Sequence, residues 1–196
     1  MERTLKNKYY LLRHGRNIHQ TELKDFLYCW PDDNPPCSLI EEGIYDAESA
    51  GERLKGKGIN RIYCSDILRT RQTAGIVTEK IGFNLEKIVY DPRLRDINWG
   101  DWGGMKEEEA WKLYNNDYLK RFEVAPPRGE TWSECQARIV EAFESIEKDC
   151  QNETILIVSH GDPLWLLEGH IKGMDNQALI DNKEEILIQP GGIKEI

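Results

Sequence analysis

The 196-residue chain lacks any apolar run close to the roughly 18 residues needed to cross a bilayer. Its first residues, MERTLKNKYYLL, lack the long apolar core and small-residue cleavage site of a secretory signal. A soluble, cytoplasmic protein without membrane contact is expected. Positive charge is also scarce: 26 lysines and arginines against 35 acidic residues leave a net charge of -9, which argues against a surface built for nucleic acid. The five cysteines (Cys29, Cys37, Cys64, Cys135, Cys150) form no C-x-x-C pair, so reduced thiols are expected, with no nucleophile among them. There are four histidines and no H-x-x-x-H spacing, and no acidic cluster of the kind that holds magnesium, so neither metal nor cofactor is expected. Internal repeats and low-complexity segments are absent, and the oligomeric state is left open. With 39% hydrophobic and 31% charged residues, the length fits one domain over residues 1–196.

What the chain does have is an alternation of short apolar runs and helical patterns. Residues 9–12 and 61–65 read as strands. Between them Gly43 opens a helix whose Ile44, Ala47, Ala50 and Leu54 make one apolar stripe, ended by Gly56 and Gly58. There follow a helix over 68–81, a strand over 87–91, the Trp- and Gly-rich loop RDINWGDWGG, and helices near 106–121 and 131–148. Thr131 and Glu134 have capping-box spacing at the start of the last of these. The most apolar strand, 154–161, precedes a helix over 163–172 and a final strand EILIQ, 185–189. CWPDDNPPCS and FEVAPPRGET read as proline-rich loops. This order predicts an α/β, three-layer sandwich with a largely parallel central sheet flanked by helices. In such sheets ligands bind at the carboxyl ends of the strands.

Those strand ends carry the informative residues. Arg13-His14-Gly15 ends the first strand and Ser159-His160-Gly161 ends the strand TILIV, so two strands deliver a His-Gly to the same rim. A third strand end, SDILRTRQTA, places Arg69 at a helix start, where a guanidinium beside unsatisfied backbone N–H groups suits a phosphate-like dianion; Arg71 is expected in solvent. In an acidic chain, this local excess of positive charge points to an anionic ligand.

The segments LLRHGRN, SDILRTRQTA, LRDINWGDWGG, GETWSECQARI and IVSHGD resemble, in order and approximate spacing, the histidine phosphatase superfamily. The branch they are similar to holds cofactor-dependent phosphoglycerate mutases and their small phosphatase relatives. The resemblance implies that His14 is a nucleophile forming a phosphohistidine, and that Arg13, Arg69 and His160 make up the phosphate pocket. Gly15 and Gly161 would leave room for phosphoryl oxygens. The general acid would be Asp96, where the family usually has Glu, with Asp162 as the alternative donor. Arg16-Asn17 stand where Glu or Gln and a small residue are usual, and Gln20 where Asn is usual. All three lie where substrate binds, Arg16 either taking a second anionic group or lying in solvent. Trp99 and Trp102 bracket the acid loop, and one of them could wall the pocket; His19 and His170 match no motif and are expected to be structural. The implied activity is metal-independent hydrolysis of a small phosphorylated metabolite. Its alternatives are mutase-type phosphoryl transfer and a non-catalytic phospholigand-binding module. The segment 104–129 is short beside that of the mutases, which favours hydrolysis.

Overall fold

KYYLLR and TILIVS are apolar at successive positions, as strands buried on both faces must be. In the computed structural model, which describes residues 4–28 and 37–196, they form the two central strands of the sheet. β1 (Lys8–Arg13) runs parallel to β4 (Thr154–Ser159), and β2 (Arg61–Cys64) lies parallel on the far side of β4. β3 (Val89–Tyr90) and β5 (Ile193–Glu195) are the edges, giving the order β3-β2-β4-β1-β5, with β5 antiparallel to β1.

Period-two alternation sends each central strand's side chains to opposite layers. Tyr9, Leu11, Ile155 and Ile157 pack with Phe143, Ile146, Leu164 and Leu167 of α5 (Trp132–Asp149) and α6 (Gly161–Ile171). Tyr10, Leu12, Leu156 and Val158 pack with Ala50, Leu54, Ala74 and Val77 of α1 (Glu41–Leu54) and α2 (Leu68–Ile81). Each fully buried Leu, Ile or Val contributes about 1.5–3 kcal/mol, so these two faces hold the sandwich together. A third cluster, centred on Trp132 and Trp165, lies under a cap that includes α3 (Glu107–Leu113), α4 (Lys120–Glu123), α7 (Asn176–Asp181) and α8 (Lys183–Ile186).

The stripe of α1 differs from expectation by one residue. Ile44 is 45% exposed and Gly43 is buried in its place. A Cβ on Gly43 would lie 1.9 Å from the Arg16 carbonyl oxygen, so only glycine permits this approach, and Ile44 turns outward. The expected helix over 106–121 is two short ones, because Asn115 and Asn116 take left-handed φ values of 57° and 56° between them. The strand expected over 87–91 shrinks to Val89–Tyr90, since Asn84 caps a 3-10 turn that takes Leu85–Lys87. The strand expected over 185–189 is not formed. Backbone N–H groups of Glu185 and Ile186 instead bond the Asn182 carbonyl as α8 begins, and the chain reverses through Gly191-Gly192 into β5. The Thr131–Glu134 capping box forms as the spacing predicts.

Cys64, Cys135 and Cys150 are buried free thiols and Cys37 is buried; Cys29, with most of the first proline-rich loop, lies outside the described residues. No described helix is long and apolar enough to cross a membrane.

Candidate active site

Strand register decides which side chains meet. Arg13 of β1 is the partner of Ser159 of β4, so the residues that follow, His14 and His160, leave the sheet side by side with ring centroids 5.2 Å apart. Cys64 of β2 pairs with Val158, which sets Ser65 beside His160, and α2 begins three residues later with Arg69 on its first turn.

His14 is buried. Its Nδ1 lies 2.7 Å from the Gly15 carbonyl oxygen, a contact that requires the proton on Nδ1, and its Nε2 accepts from Arg69 Nε at 3.1 Å. Burial, followed by the charges of Arg69 and Arg13, holds its pKa well below the ordinary histidine value. The ring is therefore neutral near pH 7 with its lone pair on Nε2, the state that attack on phosphorus needs.

His160 has the complementary arrangement. Its Nε2 is 2.9 Å from Ser65 Oγ, a hydroxyl that also accepts from the Ile67 N–H at 3.4 Å and can either donate to the ring or accept from it. With the hydroxyl as donor, the ring proton sits on Nδ1, a buried atom with no hydrogen-bond partner among the described residues, 3.5 Å from Asp96 Oδ2. Burial and the Arg69 charge keep His160 neutral as well. An unpartnered buried N–H is costly in itself and useful as a fixed donor to an incoming phosphoryl oxygen. Ser65→Ala should release the tautomer and lower kcat/KM about tenfold with little change in melting temperature. Unchanged kinetics in Ser65→Ala would show that the hydroxyl does not orient His160.

Arg69 bridges His14 and Asp96. Its Nη2 donates to Asp96 Oδ2 at 3.0 Å, and its guanidinium carbon lies 4.8 Å from the centre of the Tyr28 ring. Asp96 Oδ1 accepts from the Ile97 N–H at 3.0 Å. Burial pushes the Asp96 carboxyl up to about 6, with the Asp162 charge assisting and Arg69 opposing. The Asp96 loop is fastened from below by Arg138 of α5, which donates to the carbonyls of Arg93 (2.8 Å), Arg95 (2.6 Å) and Asp96 (2.7 Å) and forks onto both oxygens of Glu130. Asp162 is engaged elsewhere: Oδ2 accepts from Trp132 Nε1 at 3.0 Å, and Oδ1 lies 3.7 Å from Lys183 Nζ.

The remaining expected residues divide. Arg13 and Gln20 line a cleft of about 220 Å³ together with Asp96, Trp99, Gly161 and Asp162. Arg13 donates through Nη1 to the Ile188 carbonyl at 3.0 Å, and its buried Nε has no hydrogen-bond partner among the described residues. Gly161 makes way for this side chain, since a Cβ there would sit 3.1 Å from the guanidinium carbon. Gly15 serves packing: its Cβ would fall 2.1 Å from the Gly43 carbonyl oxygen, so its lack of a side chain lets α1 approach. Arg16 is turned away from the cleft, forking onto Asp46 with two 2.8 Å bonds. Asn17 is buried and builds a capping box with Gln20, its N–H donating to Gln20 Oε1 at 2.9 Å. Trp99 walls the cleft, whereas Trp102 packs edge-on against Tyr114. His19, expected to be structural, lines the cleft beside Lys24, Tyr28 and Lys183, while His170 lies 3.8 Å from Glu144 outside it. Arg138, to which the sequence assigned no role, lies inside the quoted segment GETWSECQARI and so carried a signal, whereas His19 matched no motif.

Chemically, the centre suits an anion. Among the described residues, His14, Asp96 and His160 have potential metal-ligand atoms within 4.8 Å of one another. Arg69 already occupies His14 Nε2 and Asp96 Oδ2, however, and its charge beside that of Arg13 opposes a divalent cation. The same guanidiniums favour the equatorial oxygens of a transferring phosphoryl group.

Comparison with known proteins agrees with this geometry. The family model of the histidine phosphatase superfamily (branch 1) matches residues 9–184. A relative from Erwinia tasmaniensis named "Probable phosphoglycerate mutase GpmB" is 31% identical over 175 residues, covering 86% of this chain and 76% of its own. A 2,3-bisphosphoglycerate-dependent phosphoglycerate mutase from a Methylobacterium species is 29% identical, with 86% and 82% covered. Among solved structures, Bacillus stearothermophilus YhfR superposes with a TM-score of 0.78 at 30% identity, over 97% of this chain and 90% of that one. A mycobacterial glucosyl-3-phosphoglycerate phosphatase shares the fold, with a TM-score of 0.74 at 22% identity over 96% and 91% of the two chains. The extent of the family match, over strands whose ends carry both histidines, leaves one assignment: the chain belongs to the histidine phosphatase superfamily, branch 1.

Proposed function

We propose that the protein is a metal-independent phosphatase that hydrolyses a small phosphorylated metabolite through a phosphohistidine on His14. The observation that carries this reading is the buried His14 ring, with Nδ1–H committed to the Gly15 carbonyl and Nε2 free of any proton of its own. In the first step the phosphoryl group displaces the Arg69 N–H from Nε2, and the lone pair forms the N–P bond. The P–O ester bond breaks, and Asp96 gives its proton to the leaving oxygen, releasing an alcohol. The positive charge that develops on the ring is held by the Gly15 carbonyl, and the phosphoryl oxygens by Arg13, Arg69 and the Nδ1–H of His160. In the second step the Asp96 carboxylate takes a proton from water, which attacks phosphorus and returns His14 to its neutral state. Two features favour water over a second hydroxyl as the acceptor. Among the described residues the cleft is not closed over, and 104–129 supplies the short helices α3 and α4 as cover.

The mutase names of the sequence relatives favour transfer instead, so the deciding experiment offers both fates. With phosphoglycerate and a trace of bisphosphoglycerate, release of inorganic phosphate should outrun isomerisation. Isomerisation without release would establish a mutase, and binding without either a phospholigand-binding module.

The pH profile has a definite sign. Asp96 must be protonated to act as acid, so kcat/KM for an alkyl phosphate should fall about tenfold per unit above pH 6, where the free carboxyl ionises. A bound phosphate dianion raises that pKa further, which displaces the kcat limb to higher pH. The substrate's own phosphate also titrates near pH 6, so the limb is assigned by its disappearance in Asp96→Asn; its persistence there would remove Asp96 from the role.

A further inference from the structure

Lys183 opens α8, in the segment whose sequence reads as a strand, and no motif marks it. Its ammonium lies 4.7 Å from the ring centre of Trp132 and 4.6 Å from that of Trp165, two indoles that are themselves buried. A rim lysine ordinarily gives up much side-chain freedom when it binds something. Here the aromatic pair has already fixed it, with an attraction of about 0.5–2 kcal/mol per ring. Among the described residues the nearest carboxylate oxygen, Asp162 Oδ1, is 3.7 Å away, beyond hydrogen-bond length, so toward them the ammonium keeps donors to offer. It lines the same cleft as Arg13 and Asp96, and Lys24, exposed on the segment after β1, adds a second cation. The carboxylates of that wall are partly occupied: Asp162 accepts from Trp132 Nε1 and Glu107 from Trp111 Nε1 at 3.1 Å.

We infer that Lys183 is a specificity-determining residue that receives a second anionic group of the substrate, a carboxylate or a further phosphate, while the first phosphoryl group sits between Arg13 and Arg69. This deepens the phosphatase reading and rests on it. Arg16, the residue whose sequence position suggests that task, is held by Asp46 outside the cleft. The cation that would meet a second anion therefore comes from the other end of the chain.

The test compares glycerol phosphate with phosphoglycerate, which replaces a hydroxymethyl group by a carboxylate, and with bisphosphoglycerate, which adds a phosphate. The native protein should favour at least one of the doubly anionic substrates in kcat/KM by about tenfold or more, because a site built around a charge rejects the analogue lacking it. The arm that shows the preference identifies the group. In Lys183→Met, whose stem still covers the indoles, the preference should collapse to within about twofold through a rise in KM, and Lys183→Arg should restore it. A preference that survives Lys183→Met, or a loss that falls equally on all three substrates, would overturn the inference and leave Lys183 a structural partner of Asp162. Dissociation constants for the same ligands, measured by calorimetry in a His14→Ala background with and without Lys183→Met, report the same discrimination without turnover. Discrimination there without phosphate release from the native protein would uphold Lys183 while refuting the phosphatase reading.

Discussion

His14→Ala should lower turnover of every phosphomonoester by about 10,000-fold or more, because it removes the atom that the proposed mechanism uses to form the covalent intermediate. Its side chain ends a strand at the sheet rim and touches the Gly15 carbonyl and Arg69 rather than either apolar layer. The variant should therefore keep the native circular-dichroism spectrum and melt within a few degrees of the parent. Arg13, Arg69 and His160 remain, so phosphate analogues should still bind. Substantial residual hydrolysis in a folded, ligand-binding His14→Ala protein would move the nucleophile elsewhere.

Asp96→Asn has the second largest expected effect, and its signature is selective. An acid matters most when the leaving group is poor, so hydrolysis of an alkyl phosphate should slow by about 100-fold or more, and that of p-nitrophenyl phosphate much less. The amide keeps the acceptor toward Arg69, which confines the change to proton donation. Asp162 is the control: one of its oxygens accepts from an indole N–H and the other lies 3.7 Å from Lys183. Equal losses on both substrates, or the selective loss appearing in Asp162→Asn, would exchange the two roles.

What could be read in the sequence follows physical lines. β1 and β4 were legible because strands covered on both faces are apolar at every position, and the two strand-His-Gly endings became a site as soon as both strands were parallel. Asp96 was legible as a candidate acid from its place between the strand exit and the Trp-Gly loop, and the structure adds its burial, which raises the pKa. Edges were harder. Val89 and Tyr90 are exposed, and 185–189 has strand composition yet begins as a helical turn on Asn182. Arg16 was opaque because its partner, Asp46, is 30 residues away and reaches it only when Gly15 and Gly43 let α1 dock. Lys183 and its tryptophan pair, from three separate helices, had no local pattern to betray them.

The central claim is a phosphoryl group on His14, and rapid quenching tests it most directly. The native protein, mixed briefly with labelled phosphomonoester and quenched in base, should carry a label that is stable to alkali, lost in acid and located by mass spectrometry on the peptide containing His14. Label on any other residue, or hydrolysis proceeding with no trapped phosphoenzyme and no label lost on His14→Ala, would contradict it.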